Sequence, residues 1–90
     1  MTDKFNLTDE WFYEARTGQE RQQRYDTVAS NYKALEVLYG LLMRRKEALT
    51  RKQMDQKNYD SASWAYHQAD LNGQIRQVTE LMNLLKFVNE

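Results

Sequence analysis

Residues 25–42 read YDTVASNYKALEVLYGLL, and large apolar side chains recur through this stretch at alternating spacings of three and four. The six positions are Tyr25, Val28, Tyr32, Leu35, Tyr39 and Leu42. This spacing places the six side chains along one side of an α-helix, in a narrow stripe that is buried only against another helix. Because three of the six are tyrosines, whose hydroxyl groups need water or a partner, we expect the contact to be hydrated at its edges.

Two further helices are predicted beside the one that carries this stripe. Thr8, followed by two acidic residues, is typical of a helix N-terminus, and it predicts a short first helix over residues 8–16. The stripe belongs to a long helix predicted over residues 19–57, and a third helix is predicted over residues 61–88. The third helix has its own stripe, formed by Trp64, Leu71, Ile75, Val78, Met82 and Leu85. The sequence therefore predicts a single all-α domain of residues 1–90, in which a short N-terminal helix packs on a long, coiled-coil-like antiparallel hairpin.

The turn of this hairpin is assigned to residues 58–61, Asn-Tyr-Asp-Ser, because all but the tyrosine favour turns. One continuous helix of roughly seventy residues is the alternative, since no glycine or proline enforces a turn there. Folding at residues 58–61 places Leu35 level with Leu81 and leaves a more polar arm near the turn. We therefore expect Leu49, in the arm, to be less well packed than Leu35.

Composition excludes several classes of protein. The 90 residues contain no cysteine, which excludes disulfides, thiolate metal sites and cysteine nucleophiles. No stretch approaches the roughly 18 apolar residues that a membrane span needs, and residues 1–10 lack the apolar core of a signal peptide. We therefore expect a cytoplasmic protein that has no membrane partner.

Candidate catalytic residues are sparse. His67 is the only histidine, and Asp70 lies one turn away on the same helical face, but no serine or threonine nucleophile accompanies the pair. Glycine-rich phosphate-binding loops and clusters with metal-ligand spacing are also absent from the sequence. We therefore expect no enzyme activity, no catalytic residue, no cofactor and no metal site.

A basic segment lies in the middle of the chain. Residues 44–57 contain six basic and two acidic side chains, a net charge of +4 within a neutral protein. The candidate basic patch consists of Arg44, Arg45, Arg51 and Lys52. Such a helix is compatible with duplex binding, with docking on an acidic protein surface, or simply with a solvated helix face.

Apolar residues exceed what a two-helix hairpin can bury. In residues 35–43 and 81–88 they point almost all the way round their helices, whereas a hairpin buries one face of each. Either the N-terminal helix covers this surplus, or the surplus forms an interface with another subunit or protein. The candidate interface residues are Trp11, Phe12, Leu38, Leu41, Trp64, Tyr66, Leu81, Leu84 and Phe87.

Residues 57–69, KNYDSASWAYHQA, resemble the turn into the second helix of a tetratricopeptide repeat. The resemblance implies a tight helix-turn-helix packed through Ala62, Ala65 and Ala69. It covers thirteen of 90 residues, and no 34-residue period follows, so it does not imply membership of that family.

These patterns favour a non-catalytic helical interaction or assembly protein, such as a small accessory or structural subunit, an adaptor or an inhibitor. Neutral, cysteine-free helical chains of this size are common among accessory and virion proteins of bacterial viruses, an analogy that places the chain in a bacterial or infected host cytoplasm or in a virion. We expect a protein partner, a homo-oligomer, or both. The alternative is a nucleic-acid-binding helical module that uses residues 44–57.

Overall fold

A computed structural model describes residues 5–54 and 64–89, and 84% of these residues are helical, with no strand among them. Three α-helices are present: α1 (Gly18–Ser30), α2 (Tyr32–Gln53) and α3 (Trp64–Leu84). Two 3₁₀ helices flank them, an N-terminal one over Asp9–Phe12 and a C-terminal one over Lys86–Asn89. The predicted all-α fold class is confirmed.

Helices α2 and α3 pack against each other as an antiparallel hairpin. At one end of the pair, the Gln53 side chain donates a hydrogen bond to the Asn72 side chain. At the other end, the Tyr32 hydroxyl donates to the carbonyl oxygen of Val88 at 3.0 Å. This packing excludes one continuous helix, while the predicted turn at residues 58–61 lies outside the described residues.

The long second helix that the sequence predicted over residues 19–57 is divided at Asn31. Ser30 Oγ donates to the carbonyl oxygen of Asp26 at 2.6 Å, and Asn31 Nδ2 donates to that of Thr27 at 2.8 Å. Side chains that bond to the preceding turn compete with the helical backbone, and Asn31 adopts a non-helical conformation with φ −108° and ψ 17°. The stripe therefore runs across two helices, and α2 ends at Gln53 instead of residue 57.

The first predicted helix, over residues 8–16, is instead a single 3₁₀ turn. Thr8 makes no capping hydrogen bond, and Glu14 has a φ of 59°, in the left-handed region that ends a helix. The cap belongs to α1, where Thr17 Oγ1 accepts from the Glu20 amide at 3.1 Å and Glu20 Oε1 accepts from the Thr17 amide at 2.9 Å. The hydrogen bonds from the backbone of Thr17 and Arg16 hold the pKa of Glu20 below its ordinary value.

The main core lies where the C-terminal 3₁₀ helix folds back between α1 and α2. It is formed by Val28, Leu85, Phe87 and Val88. The Phe5 ring stacks between those of Tyr25 and Phe87, with centroid separations of 5.0 and 4.9 Å. The third predicted helix thus ends at Leu84 instead of residue 88, because the chain tightens there to turn Phe87 and Val88 inward.

A second buried position lies further along the hairpin. Leu49 is 5% exposed and Leu71 2%, whereas Leu35 is only half-buried. The expectation that Leu49 packs less well than Leu35 is therefore wrong. The cause is the register of the hairpin. The predicted pairing put Leu49 level with the polar start of α3, whereas the Gln53–Asn72 bond places it level with the segment around Ile75.

Candidate functional site

An apolar groove of about 220 Å³ runs between α2 and α3 at the core end of the hairpin. Its lining consists of Trp11, Leu35, Leu38, Leu42, Leu81, Leu84 and Leu85. The side chains that line it are thus all apolar. Concave, apolar surfaces of this kind accept apolar side chains of another molecule more readily than they accept water.

Trp11 forms a fixed wall of the groove. Its indole Nε1 donates a hydrogen bond to the carbonyl oxygen of Leu84 at 2.8 Å, and its own carbonyl oxygen accepts from Arg24 Nη1 at 2.8 Å. The ring also meets Phe87 edge-on, with centroids 5.6 Å apart. These hydrogen bonds and the ring contact together fix the position of Trp11 and of the N-terminal segment that carries it. This wall of the groove is therefore already formed before a partner binds.

Exposed leucines extend the groove onto the surface of α2. Leu38 lines the groove and is 42% exposed, and Leu41, one turn further along the same side of the helix, is 58% exposed. Leu81 of α3 is exposed across from them. Together these three side chains form a continuous apolar face, which we call the groove face.

Charged residues lie along the two edges of the groove face. Arg45 and Lys52 follow Leu38 on the same side of α2, at spacings of seven, and both are exposed. Asp70 lies on the side of α3 that carries Leu81, and Glu80 borders Leu81 and Leu84 at the rim of that helix. The only ion pair among the described residues joins Arg21 to Asp9 at 3.6 Å, so these four charges have no ionic partner in the described part of the chain.

The predicted interface residues divide into several groups. Leu38, Leu81, Leu84 and Trp11 line the groove, and Leu41 lies beside Leu38 on the exposed surface of α2. Phe12 is half-buried nearby, under the guanidinium group of Arg21 at 4.2 Å from the ring centroid.

Phe87, Tyr66 and Trp64 do not belong to the groove. Phe87 is 2% exposed and lies in the core, which corrects its assignment to an interface: the turn after Leu84 directs it inward. Tyr66 is 81% exposed near the start of α3 and does not line the groove. The side chain of Trp64 lies outside the described residues.

Sequence reasoning missed that the groove has a floor. Leu35, Leu42 and Leu85 were assigned to the buried stripes, yet they line the groove that the exposed leucines border. The signal was present in residues 35–43, which hold more apolar side chains than one face of a helix can bury. What was lacking was the position of Trp11, which depends on a hydrogen bond between residues 73 positions apart.

The predicted basic patch is exposed. Arg44, Arg45, Arg51 and Lys52 are all accessible, and none of them forms an ion pair within the described part of the chain. Glu47 lies within it, next to Lys46 and Arg51 on the surface of α2. The patch is thus a row of free cations interrupted by one carboxylate.

Within residues 5–54 and 64–89, no group of three or more histidine, aspartate or glutamate side chains is arranged to hold a metal ion. No helix in the same ranges is both long enough and apolar enough to cross a membrane. Comparison with family models, with curated proteins and with solved structures found no match to this chain.

Proposed function

We propose that this chain is a non-catalytic helical interaction protein, an assembly subunit, adaptor or inhibitor, which binds another protein surface through the groove face. The observation that carries the proposal is the preformed apolar groove bordered by the exposed side chains of Leu38, Leu41 and Leu81. Isolated exposed leucines are ordinary on soluble proteins, but a continuous apolar face around a concave site is typical of an interface.

The energetics of such a contact favour binding. Covering apolar surface contributes about 25 cal/mol per Å², and a groove whose wall is already fixed by Trp11 requires little ordering when a partner binds. The exposed cations and anions at its edges add orientation to this contact more than they add affinity.

The proposal is tested by placing a photo-crosslinking amino acid at Leu41 in the cells that make the protein. We expect crosslinks to another polypeptide chain, because Leu41 lies on the groove face and its side chain is exposed. Met43, which is 40% exposed on the opposite side of α2, is the matched control position. Crosslinks that are absent at Leu41, or equally abundant at Met43, would contradict the proposal.

A second candidate function, binding of nucleic acid, is favoured by the row of free cations at Arg44, Arg45, Arg51 and Lys52. Four cations give little affinity for a duplex at physiological salt, and we expect weak binding or none. If binding occurs at low salt, replacing Arg44, Arg45 and Arg51 together by glutamine abolishes it and flattens its dependence on salt.

Fluorescence anisotropy with a labelled DNA duplex, measured over a series of salt concentrations, checks this expectation. The matched control replaces Lys33, Arg76 and Lys86 by glutamine, which removes the same charge from outside the patch and leaves the salt dependence of specific binding unchanged. Submicromolar binding at physiological salt, lost only in the first variant, would place nucleic-acid binding ahead of protein binding.

A further inference from the structure

The molecule is elongated, and Leu38, Leu41 and Leu81 of the groove face are exposed. Its principal extents are 57 × 26 × 16 Å, and the radius of gyration is 17.8 Å, against about 12 Å for a compact domain of this length. Domains are usually built from at least two packed layers around a core, and here α2 and α3 form only one.

The accessible surface of the whole chain is also larger than that of a compact protein. The chain exposes 7154 Å², whereas a compact monomer of its mass exposes about 5,500 Å². The excess is roughly 1,600 Å², and a standard protein interface removes about 800 Å² from each partner. The excess of the whole chain is thus large enough for one such interface.

The charges at the edges of the groove face identify which partner fits. The edge formed by α2 carries the cations Arg45 and Lys52, and the edge formed by α3 carries the anions Asp70 and Glu80. Along the hairpin, each cation of α2 lies at about the same height as one anion of α3. Leu42 and Leu81 line the same groove, which sets Arg45 near the height of Glu80. The Gln53–Asn72 bond sets Lys52 near the height of Asp70. A surface with this charge pattern is complementary to a second copy of itself that is rotated by 180° about an axis parallel to the helices.

We propose that the partner is a second copy of this chain, which stacks on the groove face about a two-fold axis parallel to α2 and α3. This inference rests on the proposed function and names the partner. In this arrangement α2 lies antiparallel over α3 of the other copy, Arg45 faces Glu80 of the partner subunit, and Lys52 faces the partner subunit's Asp70. Leu38, Leu41 and Leu81 of both copies fill the centre, and the product is a four-helix bundle whose neighbouring helices are all antiparallel.

The other two-fold arrangement, with the axis across the helices, stacks α2 on α2. In that arrangement the cationic edges of the two copies face each other, and so do their anionic edges. Repulsion between like charges then costs free energy at both edges. The charges thus select one orientation of the dimer.

Sedimentation velocity of the purified chain, over concentrations up to about 0.5 mM, tests the proposal, since this range populates any dimer with a micromolar Kd. We expect a concentration-dependent dimer. Leu41→Glu raises its Kd by about a hundredfold or more, because it places a carboxylate at the apolar centre twice per dimer. Met43→Glu introduces the same charge at a similarly exposed apolar position on the opposite side of α2 and leaves the Kd unchanged.

Charge exchange tests the orientation. Arg45→Glu and Glu80→Arg each raise the Kd by about tenfold, and the double variant returns it to within about threefold of the original value. These side chains are exposed, so all three variants are expected to fold, as circular dichroism checks.

A chain that stays monomeric throughout, a dimer equally sensitive to Met43→Glu, or a double variant no better than the single ones would each overturn the inference. Crosslinks from Leu41 to a different protein, in cells whose purified chain is monomeric, overturn the inference and leave the proposed function standing. If neither a dimer nor a crosslink is found, both the inference and the proposed function are contradicted.

Discussion

Phe87→Ala is expected to lower the free energy of unfolding by about 3–5 kcal/mol. The Phe87 ring is 2% exposed, and it meets Phe5 and Trp11 as well as the aliphatic core, so alanine leaves a cavity that no neighbour can fill without moving. Domains of 90 residues have total stabilities of about 5–13 kcal/mol, so this one substitution removes much of the total.

Urea unfolding followed by circular dichroism measures the change. Tyr66→Ala is the control, because Tyr66 is 81% exposed and its loss is expected to change stability by about 0.5 kcal/mol or less. A cost below about 1 kcal/mol at Phe87 would mean that the C-terminal 3₁₀ helix does not hold the core together.

Leu49→Ala is expected to cost about 2–5 kcal/mol, and Leu35→Ala about half as much. Leu49 is almost fully buried, whereas Leu35 forms part of the floor of an open groove, where truncation removes fewer contacts. This order is the reverse of the one that the sequence alone suggests.

The same unfolding measurements test this order, with Leu49→Met as the control that conserves volume and costs less than about 1.5 kcal/mol. Equal costs at Leu35 and Leu49 would show that the groove is closed in solution. A larger cost at Leu35 would favour the register that places the polar start of α3 beside Leu49.

The helices and their pairing were predictable because they depend on a local pattern. Spacings of three and four at Tyr32, Leu35 and Tyr39 define one side of a helix whatever surrounds it, and a second such stripe near the end of the chain requires the hairpin. The break at Asn31 was not predicted, although Ser30 and Asn31 supply its cause. Their side chains donate hydrogen bonds to carbonyl oxygens of the preceding turn, which the spacing of apolar residues does not reveal.

The register of the hairpin and the presence of the groove could not be predicted from the sequence, for a different reason. Both depend on contacts between distant residues, such as the Gln53–Asn72 bond and the bond from Trp11 to Leu84. A helical stripe fits its partner almost equally well after a shift by one turn, so periodicity does not choose among registers. The surplus of apolar residues was predictable, but their division between the core at Phe87 and the surface at Leu41 was not.

The position of Phe87 and Val88 in the core has a consequence for synthesis on the ribosome. The stripe on α1 and α2 is complete once Gln53 has been made, yet its partners Leu85, Phe87 and Val88 come later in the chain. At about 5–20 residues per second, the roughly 35 residues that follow take about 2–7 seconds. Until Leu85, Phe87 and Val88 have left the ribosome and folded back, the apolar stripe has no partner, which makes α2 the segment of this protein that a chaperone holdase is expected to bind first.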